Sequence, residues 1–241
     1  MECKLGGKLV AEFLGVFALC LVGILAINNA AAIGLVGIAL AHGLILAIMV
    51  SACMQTSGGH FNPAVTLGFV VTGKMKPGAA LLYVIAQLAG GLAASLVVVA
   101  IKGSADAVAA GTPNFNPENV SVMQAILIEA IATFFLVFAV WGTAADPRAK
   151  SVAGFGIGLT VAADILAFGP LTGASMNPAR SFGPALIGMA AADKGFLLSQ
   201  LWVYFAGPCI GAVVAAFTYY TLLFPHHPER SAADVPPEAK K

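Results

Sequence analysis

Charged side chains are scarce in this chain of 241 residues: Asp, Glu, Lys and Arg together make up only 10 % of it, and the formal net charge is +1. A soluble domain carries about 25 % charged residues, so most of this chain cannot form a water-exposed globular surface. A net charge so close to zero also gives no electrostatic basis for binding nucleic acid.

Cysteines and catalytic groupings are scarce too. The chain has four cysteines, and three of them, Cys20, Cys53 and Cys209, lie within apolar segments. Their spacing indicates neither a disulfide framework nor a metal site. The sequence also contains no phosphate-binding loop, redox pair or nucleophile–base arrangement. We therefore expect no metal, no cofactor and no enzymatic activity.

Apolar residues are abundant, at 59 % of the chain, and they are grouped into six long segments. Each segment is near or above the roughly 20 residues that a helix needs to cross about 30 Å of hydrocarbon. We predict an all-α membrane protein embedded in a lipid bilayer, with six transmembrane helices at 9–27, 33–53, 79–101, 122–141, 151–168 and 196–224.

Basic residues are distributed unevenly between the loops. With the N-terminus inside, nine of the 12 Lys and Arg residues are cytoplasmic and only Lys102 and Lys194 lie outside, while Arg180 lies within an apolar segment. This bias predicts that both termini are cytoplasmic. The short N-terminal segment, which lacks a sorting signal, favours the plasma membrane. The nine residues are Lys4, Lys8, Lys74, Lys76, Arg148, Lys150, Arg230, Lys240 and Lys241.

The tripeptide Asn-Pro-Ala occurs twice, at an offset of 115 residues: Asn62, Pro63 and Ala64, then Asn177, Pro178 and Ala179. Glu12 in the first apolar segment has a counterpart in Glu129. A fixed offset indicates internal duplication, and because each copy has three spans, the second enters the membrane from the opposite face. We predict an inverted repeat, with 1–105 as the first copy, 106–120 as an extracellular linker, 121–224 as the second copy and 225–241 as a cytoplasmic tail.

Each Asn-Pro-Ala starts a short apolar piece, 62–71 or 177–187. Asn is a favourable N-cap and Pro a favourable first helical residue, so both pieces read as helices. About ten residues cover roughly 15 Å, half of the hydrocarbon core. Two such half-helices that enter from opposite faces bring their N-termini together near the midplane, which predicts a polar lumen there.

These motifs resemble those of a known family. The frames Ser-Gly-Gly-His-Phe-Asn-Pro-Ala-Val-Thr at 57–66 and Thr-Gly-Ala-Ser-Met-Asn-Pro-Ala-Arg-Ser at 172–181 are similar to the two pore loops of the aquaporins, or major intrinsic proteins. The resemblance covers about residues 8–224. It implies six tilted helices with two re-entrant half-helices, a homotetramer with one pore per protomer, and passive conduction of water and small neutral solutes.

The chemistry of the two loops agrees with a pore. Asn62 and Asn177 can each cap their own helix with the side-chain oxygen, which leaves the amide to donate to a passing water. The half-helices also direct the positive ends of their dipoles at the place where the two asparagines meet, which disfavours protons and cations there. A ladder of backbone carbonyls is expected from Gly58, Gly59, His60, Gly173, Ala174 and Ser175. By resemblance, Glu12 and Glu129 support the loops. The alternative is that each asparagine is only a helix cap.

Four positions match the outer constriction of the family by their spacing: His42, Ile165, Ala174 and Arg180. A buried Arg is costly in a bilayer and is functional by default. Strict water channels usually have Phe, His and Cys or Thr at the first three positions. This set is most similar to the tonoplast intrinsic proteins and ammonia-permeable members, so ammonia is an expected permeant beside water. The alternatives are a packing role for His42 and a structural salt bridge between Arg180 and Asp164.

Three other functions remain open from the sequence. The first is a channel for ammonia, hydrogen peroxide or glycerol with low water flux. The second is a junction or scaffold protein of the same fold. The third is an intramembrane enzyme or proton-coupled transporter built on His42, Asp164 and Glu12.

Overall fold

A computed structural model describes residues 3–149, 152–191 and 194–224. The predicted tail, 225–241, lies outside them. Most of the described residues are helical, and none of them forms a strand. The helices are α1 (Leu5–Asn28), α2 (Ala30–Ser57), α3 (Pro63–Val71), α4 (Pro77–Lys102), α5 (Ala105–Ala110), α6 (Val122–Val140), α7 (Ala153–Thr172), α8 (Pro178–Gly188), α9 (Phe196–Gln200) and α10 (Val203–Thr218), and π-helical turns at Trp141–Ala145 and Tyr219–Leu223 extend α6 and α10.

Six helical stretches are long and apolar enough to cross a membrane, with mean hydropathies between 1.6 and 2.6. They are α1, α2, α4, α6 with its π turn, α7, and α9–α10 with the second π turn. Their side chains are apolar on the outside as well as in the core; Val10, Ile48 and Leu81, for example, are each about 60 % exposed. An exterior of this kind fits contact with lipid. The predicted all-α membrane fold with six spans is confirmed.

The two short pieces are also helices, and both begin at the predicted proline. α3 has 9 residues and α8 has 11, so each is about 14–17 Å long and crosses roughly half of the bilayer. Asn62 and Asn177 have extended backbones at the N-cap position, and each side chain accepts a hydrogen bond from its own first turn. The local sequence therefore sets where both half-helices start.

Close contact between α2 and α7 brings the two halves of the chain together. A Cβ atom added at Gly43 would lie 2.5 Å from the carbonyl oxygen of Gly158, and one added at Gly158 would lie 2.1 Å from that of Gly43. Only glycine permits this approach. In a membrane, where the hydrophobic effect does not drive helices together, such close van der Waals packing stabilises their association. The contact positions His42 on α2 and Ile165 on α7.

The structure differs from the sequence prediction in two places. The linker contains a helix, α5, which no hydrophobic periodicity indicated. The last span is not continuous, because Leu201 and Trp202 form a turn between α9 and α10. There Tyr204 N donates to Leu201 O and Phe205 N to Trp202 O, the i to i+3 pattern of a tighter helix.

Candidate functional site

A narrow cavity lies in the middle of the protein, between the two half-helices and the long helices. It holds about 20 Å³ and is lined largely by apolar side chains of α2, α6 and α7, together with Asn62, Asn177 and the loop residues before them. A wider cavity of about 230 Å³ lies beyond one end of it. We call the narrow cavity the passage and the wider one the vestibule. His42, Ile165 and Arg180 line both, so these three residues form the boundary between them.

The two asparagines meet at the centre of the passage in matching geometry. Asn62 Oδ1 accepts from Ala64 N at 2.8 Å, and Asn177 Oδ1 accepts from Ala179 N at 3.0 Å. Asn62 Nδ2 donates to the carbonyl of Met176 at 2.7 Å, and Asn177 Nδ2 donates to the carbonyl of Phe61 at 2.8 Å. Each amide therefore uses one N–H to join the opposite loop and retains a second. The sequence reading left the whole amide free; the cross-bond shows that half of it is structural.

Glu12 accepts hydrogen bonds from the first pore loop. Its Oε1 accepts from Ser57 Oγ at 2.7 Å and from His60 N at 3.0 Å, and its Oε2 accepts from Phe61 N at 2.7 Å and from Gln87 Nε2 at 2.8 Å. The carboxylate is fully buried. These bonds satisfy backbone donors that the irregular loop would otherwise leave unpaired inside the membrane.

Glu129 does the same in the second loop. Its Oε1 accepts from Thr172 Oγ1 at 2.7 Å and from Ser175 N at 3.0 Å, and its Oε2 accepts from Met176 N at 2.8 Å. Tyr83 and Tyr204 complete the correspondence, since their hydroxyls donate to the carbonyls of Ser57 and Thr172 at 2.9 and 2.8 Å. Neither tyrosine was predicted for this role, and their spacing offers no signal, since Tyr83 follows Asn62 by 21 residues and Tyr204 follows Asn177 by 27.

The loop backbones adopt conformations that non-glycine residues rarely take. Phe61, Ala174 and Met176 have φ of 48°, 42° and 55°, in the left-handed region that costs energy for L-residues. Phe61 and Met176 directly precede the two asparagines, and their carbonyls are the ones that accept the cross-bonds. The strain therefore lies where the two halves are joined.

The six residues expected to form a carbonyl ladder lie in different places. Four of them, Gly59, His60, Ala174 and Ser175, line the narrow passage. Gly173 lines the wider vestibule. Gly58 lines neither of these two cavities.

His42 and Arg180 are in contact at the boundary. His42 Nδ1 lies 2.9 Å from the carbonyl of Ile38, and His42 Nε2 lies 3.3 Å from Arg180 Nη2. Because a carbonyl can only accept and a guanidinium can only donate, His42 is the neutral Nδ1–H tautomer with Nε2 as acceptor. Arg180 Nη1 is buried without a hydrogen-bond partner in the described part of the chain. This nitrogen is the side-chain donor that the boundary leaves available.

Asp164 lies next to Ile165 but pairs with neither of the expected partners. It is 5 % exposed, and its Oδ2 is buried without a hydrogen-bond partner among the described residues. Among the described residues, no ion pair joins Asp164 to Arg180. The salt bridge considered for Arg180 is therefore absent. Nor do His, Cys, Asp and Glu side chains cluster as a metal site in the part of the chain that was described.

A cluster of polar contacts, here called the polar clamp, lies at the membrane face at which α1 begins. Arg148 Nη2 donates to Asp146 Oδ2 at 2.6 Å and to the carbonyl of Leu223 at 2.7 Å, and the Tyr219 hydroxyl donates to Asp146 at 3.0 Å. The hydrogen bond from Arg148 holds the pKa of the Asp146 carboxyl well below its usual range and raises the pKa of Arg148. The clamp ties the segment after α6 to the end of α10.

The linker contributes residues that the sequence did not single out. Thr112, Pro113 and Asn114 line the wider vestibule, as Arg180 does, and Asn114 Nδ2 donates to the carbonyl of Thr112 at 2.9 Å. The polar composition of the linker was visible in the sequence, but the position of the linker over the passage depends on the tertiary fold.

Gly23 on α1 leaves room for His42, because a Cβ there would lie 2.3 Å from His42 Nε2.

Comparison with known proteins agrees with this geometry. The model of the family described as "Major intrinsic protein" matches residues 2–219. The chain is 47 % identical to Aquaporin TIP4-4 of Zea mays over 191 residues, 78 % of this chain and 71 % of that protein. It is 40 % identical to Aquaporin TIP2-3 of Arabidopsis thaliana over 189 residues, 77 % of this chain and 71 % of that one.

A solved structure shares the fold. The X-ray structure of the aquaglyceroporin from Plasmodium falciparum superposes with a TM-score of 0.82 at 24 % identity, covering 91 % of this chain and 97 % of that one. The TIP-type relatives conflict with the plasma-membrane location expected from the sequence, and that expectation was wrong. The protein belongs to the major intrinsic protein family and is a multi-pass membrane channel for water or small solutes.

Proposed function

We propose that this chain conducts water in single file, also passes ammonia, and excludes protons and ions. The observation that carries the proposal is the narrow passage, in which two half-helix N-termini and their asparagines meet behind a boundary of His42, Ile165 and Arg180. A water needs about 10–15 Å³ of such volume, and the passage holds about 20 Å³. That volume accommodates about one water, which supports passage of one molecule at a time.

Proton exclusion follows from the two asparagines. The remaining N–H of each amide and the positive ends of both helix dipoles act on the same point. A water there turns its oxygen towards both donors, so its own hydrogens point away along the passage in opposite directions. A continuous donor–acceptor chain is interrupted at this water, and a cation is repelled.

Selection at the outer boundary follows from Arg180, His42 and Ile165, with Ala174 beside them. The unpartnered Nη1 of Arg180 donates to a permeant and its charge rejects cations. His42 uses both ring nitrogens within the protein, so it adds no donor. Ile165 presents an apolar wall that supplies no hydrogen bond, and this costs ammonia, which is less strongly hydrated, less than it costs water.

The carbonyls of Gly59, His60, Ala174 and Ser175 supply acceptors along the passage, and Gly173 lies in the vestibule beyond it. Glu12 and Glu129 hold both loops in place. We further propose a homotetramer with one passage per protomer and cytoplasmic termini, from the family resemblance and the distribution of Lys and Arg. Chemical cross-linking of the protein in lipid vesicles tests the assembly, and a band at four protomers is expected.

Ammonia uptake by proteoliposomes that contain a pH-sensitive dye tests the selectivity. The wild type should raise the internal pH faster than empty vesicles. Ile165→His adds bulk and a donor and should slow ammonia several-fold more than water, whereas Ile165→Val keeps the apolar wall and should conduct both. Ammonia uptake equal to that of empty vesicles, beside normal water flux, would remove ammonia from the proposal.

A further inference from the structure

The vestibule combines one cationic side chain with an apolar wall. It holds about 230 Å³ and is bordered by α1, α2, α7 and the linker. Its lining includes Arg180 and, among the residues that the structure describes, no Asp, Glu or Lys. The long helices α1 and α2 contribute Ile27, Leu35 and Ile38 to the lining. The conduction of water uses the guanidinium group but gives these three apolar side chains no role.

Arg180 is a buried cation without an ion-pair partner in the described part of the chain. It is 5 % exposed, its Nη2 contacts neutral His42, and its Nη1 has no hydrogen-bond partner among the described residues. The buried carboxylate of Glu129 accepts hydrogen bonds from the residues before Asn177 instead. Arg180 also lies in the first turn of α8, where the helix dipole is positive. An anion that supplies an acceptor would therefore stabilise this guanidinium group.

The lining of the vestibule favours one class of anion. A carboxylate matches the planar donors of a guanidinium group. A short alkyl chain on that carboxylate can lie against the apolar wall of α1 and α2, and each CH2 group buried there adds to the affinity. A hydrated inorganic anion would use the guanidinium group alone. The passage accommodates about one water, so a carboxylate with an alkyl chain stops at the boundary and does not pass through.

We propose that the vestibule binds a short-chain monocarboxylate such as butyrate, with the carboxylate on Arg180 and the chain against Leu35 and Ile38, and that the bound anion blocks the passage. The block rests on the proposed channel function, whereas the binding does not. A bound carboxylate occupies the guanidinium donor that permeating water uses, and its chain fills the approach to the boundary. The vestibule is then an inhibitory site for organic anions in the compartment that it faces.

Ligand-observed NMR of the purified full-length protein in neutral detergent measures the binding, at about pH 8, where carboxylates are ionised. Saturation transfer to butyrate is expected, and none to butyramide or butylammonium, which have a similar chain without the negative charge. Arg180→Gln should bind butyrate roughly 10- to 100-fold more weakly, and Arg180→Lys, which keeps a cation, should lose less. Leu35→Ala should weaken butyrate about two- to fourfold and acetate hardly at all. The matched control Leu40→Ala, on the same helix but at a separate groove between α2 and α7, should bind like the wild type.

Osmotic shrinkage of proteoliposomes measures the block. Butyrate is present at equal concentration on both sides of the membrane, and chloride at the same ionic strength is the reference. Butyrate should slow water flux with a midpoint that matches its dissociation constant, and butyramide should not. Equal binding of butyrate to the wild type and Arg180→Gln, no binding to either, or binding that leaves water flux unchanged overturns the proposal. Binding that depends on Arg180, in protein that conducts no water even without butyrate, supports the site and contradicts the channel function alone.

Discussion

Replacing Glu129 with glutamine keeps the shape of the side chain and removes its charge. One carboxylate oxygen of Glu129 accepts two hydrogen bonds and the other, Oε2, accepts one from Met176 N. The least costly orientation of the new amide puts its NH2 group at the Oε2 position. There it faces the N–H of Met176, and a buried backbone donor loses its acceptor.

The expected cost follows from these three bonds. A buried donor left unpaired costs about 1–3 kcal/mol, and changing a charged acceptor to a neutral one weakens each of the other two bonds by about 0.5–1.5 kcal/mol. The loss of unfolding free energy is therefore about 2–6 kcal/mol, which corresponds to a fall in unfolding temperature of roughly 5–20 °C for a chain of this size.

Thermal unfolding in detergent, followed by circular dichroism, measures the change. Glu118→Gln is the control, because Glu118 lies exposed in the linker and surface substitutions usually stay within about 0.5 kcal/mol. Water permeability of Glu129→Gln should fall together with its stability. A fall in unfolding temperature of less than about 2 °C, no different from the control, would refute the view that the charge of Glu129 holds the second loop.

Three further changes have defined outcomes. Gly23→Ala places a Cβ 2.3 Å from His42 Nε2 and should lower water permeability by displacing the ring, whereas Gly6→Ala, with no atom within 4 Å, should not; equal flux in both would contradict the placement of His42. Ala174→Cys puts a thiol in the passage and should make water flux sensitive to mercury and recoverable with a reducing thiol; a flux that mercury leaves unchanged would contradict the placement of Ala174. Asp146→Asn removes a carboxylate whose pKa is depressed by Arg148, so the stability it contributes is present above the unfolded value near 3.9 and is lost as pH falls towards the folded value. The difference in unfolding temperature between this variant and the wild type should be constant from about pH 5 to 8 and shrink below about pH 4; a difference that persists in acid would contradict the pairing.

Local signals in the sequence were sufficient for the spans and for both half-helices. Long apolar segments need no tertiary information, and Asn62-Pro63 and Asn177-Pro178 combine a favourable cap with a favourable first residue. The ends of several spans lay further out than hydropathy indicated, because polar residues such as Gln55 and Ser57 continue α2 beyond its apolar part.

Features that depend on long-range contacts were not predictable. The hydrogen bond from Asn62 to the carbonyl of Met176 joins residues 114 positions apart. The left-handed backbone at Phe61 and Met176 was not predictable either, because neither residue is a type that favours that conformation. The same holds for Asn114, which reaches the vestibule only because the linker folds back over it. Sequence periodicity reports which face of an element is apolar, and not which distant residue it meets.

Osmotic shrinkage of proteoliposomes, measured by stopped-flow light scattering at several temperatures against empty vesicles, tests the central claim most directly. An open single-file passage predicts shrinkage much faster than that of the lipid control, with a weak temperature dependence and without a proton current under a pH gradient. Shrinkage no faster than that of empty vesicles, in protein shown to be folded, would contradict water conduction. Fast shrinkage accompanied by a proton current would contradict the role given to Asn62 and Asn177.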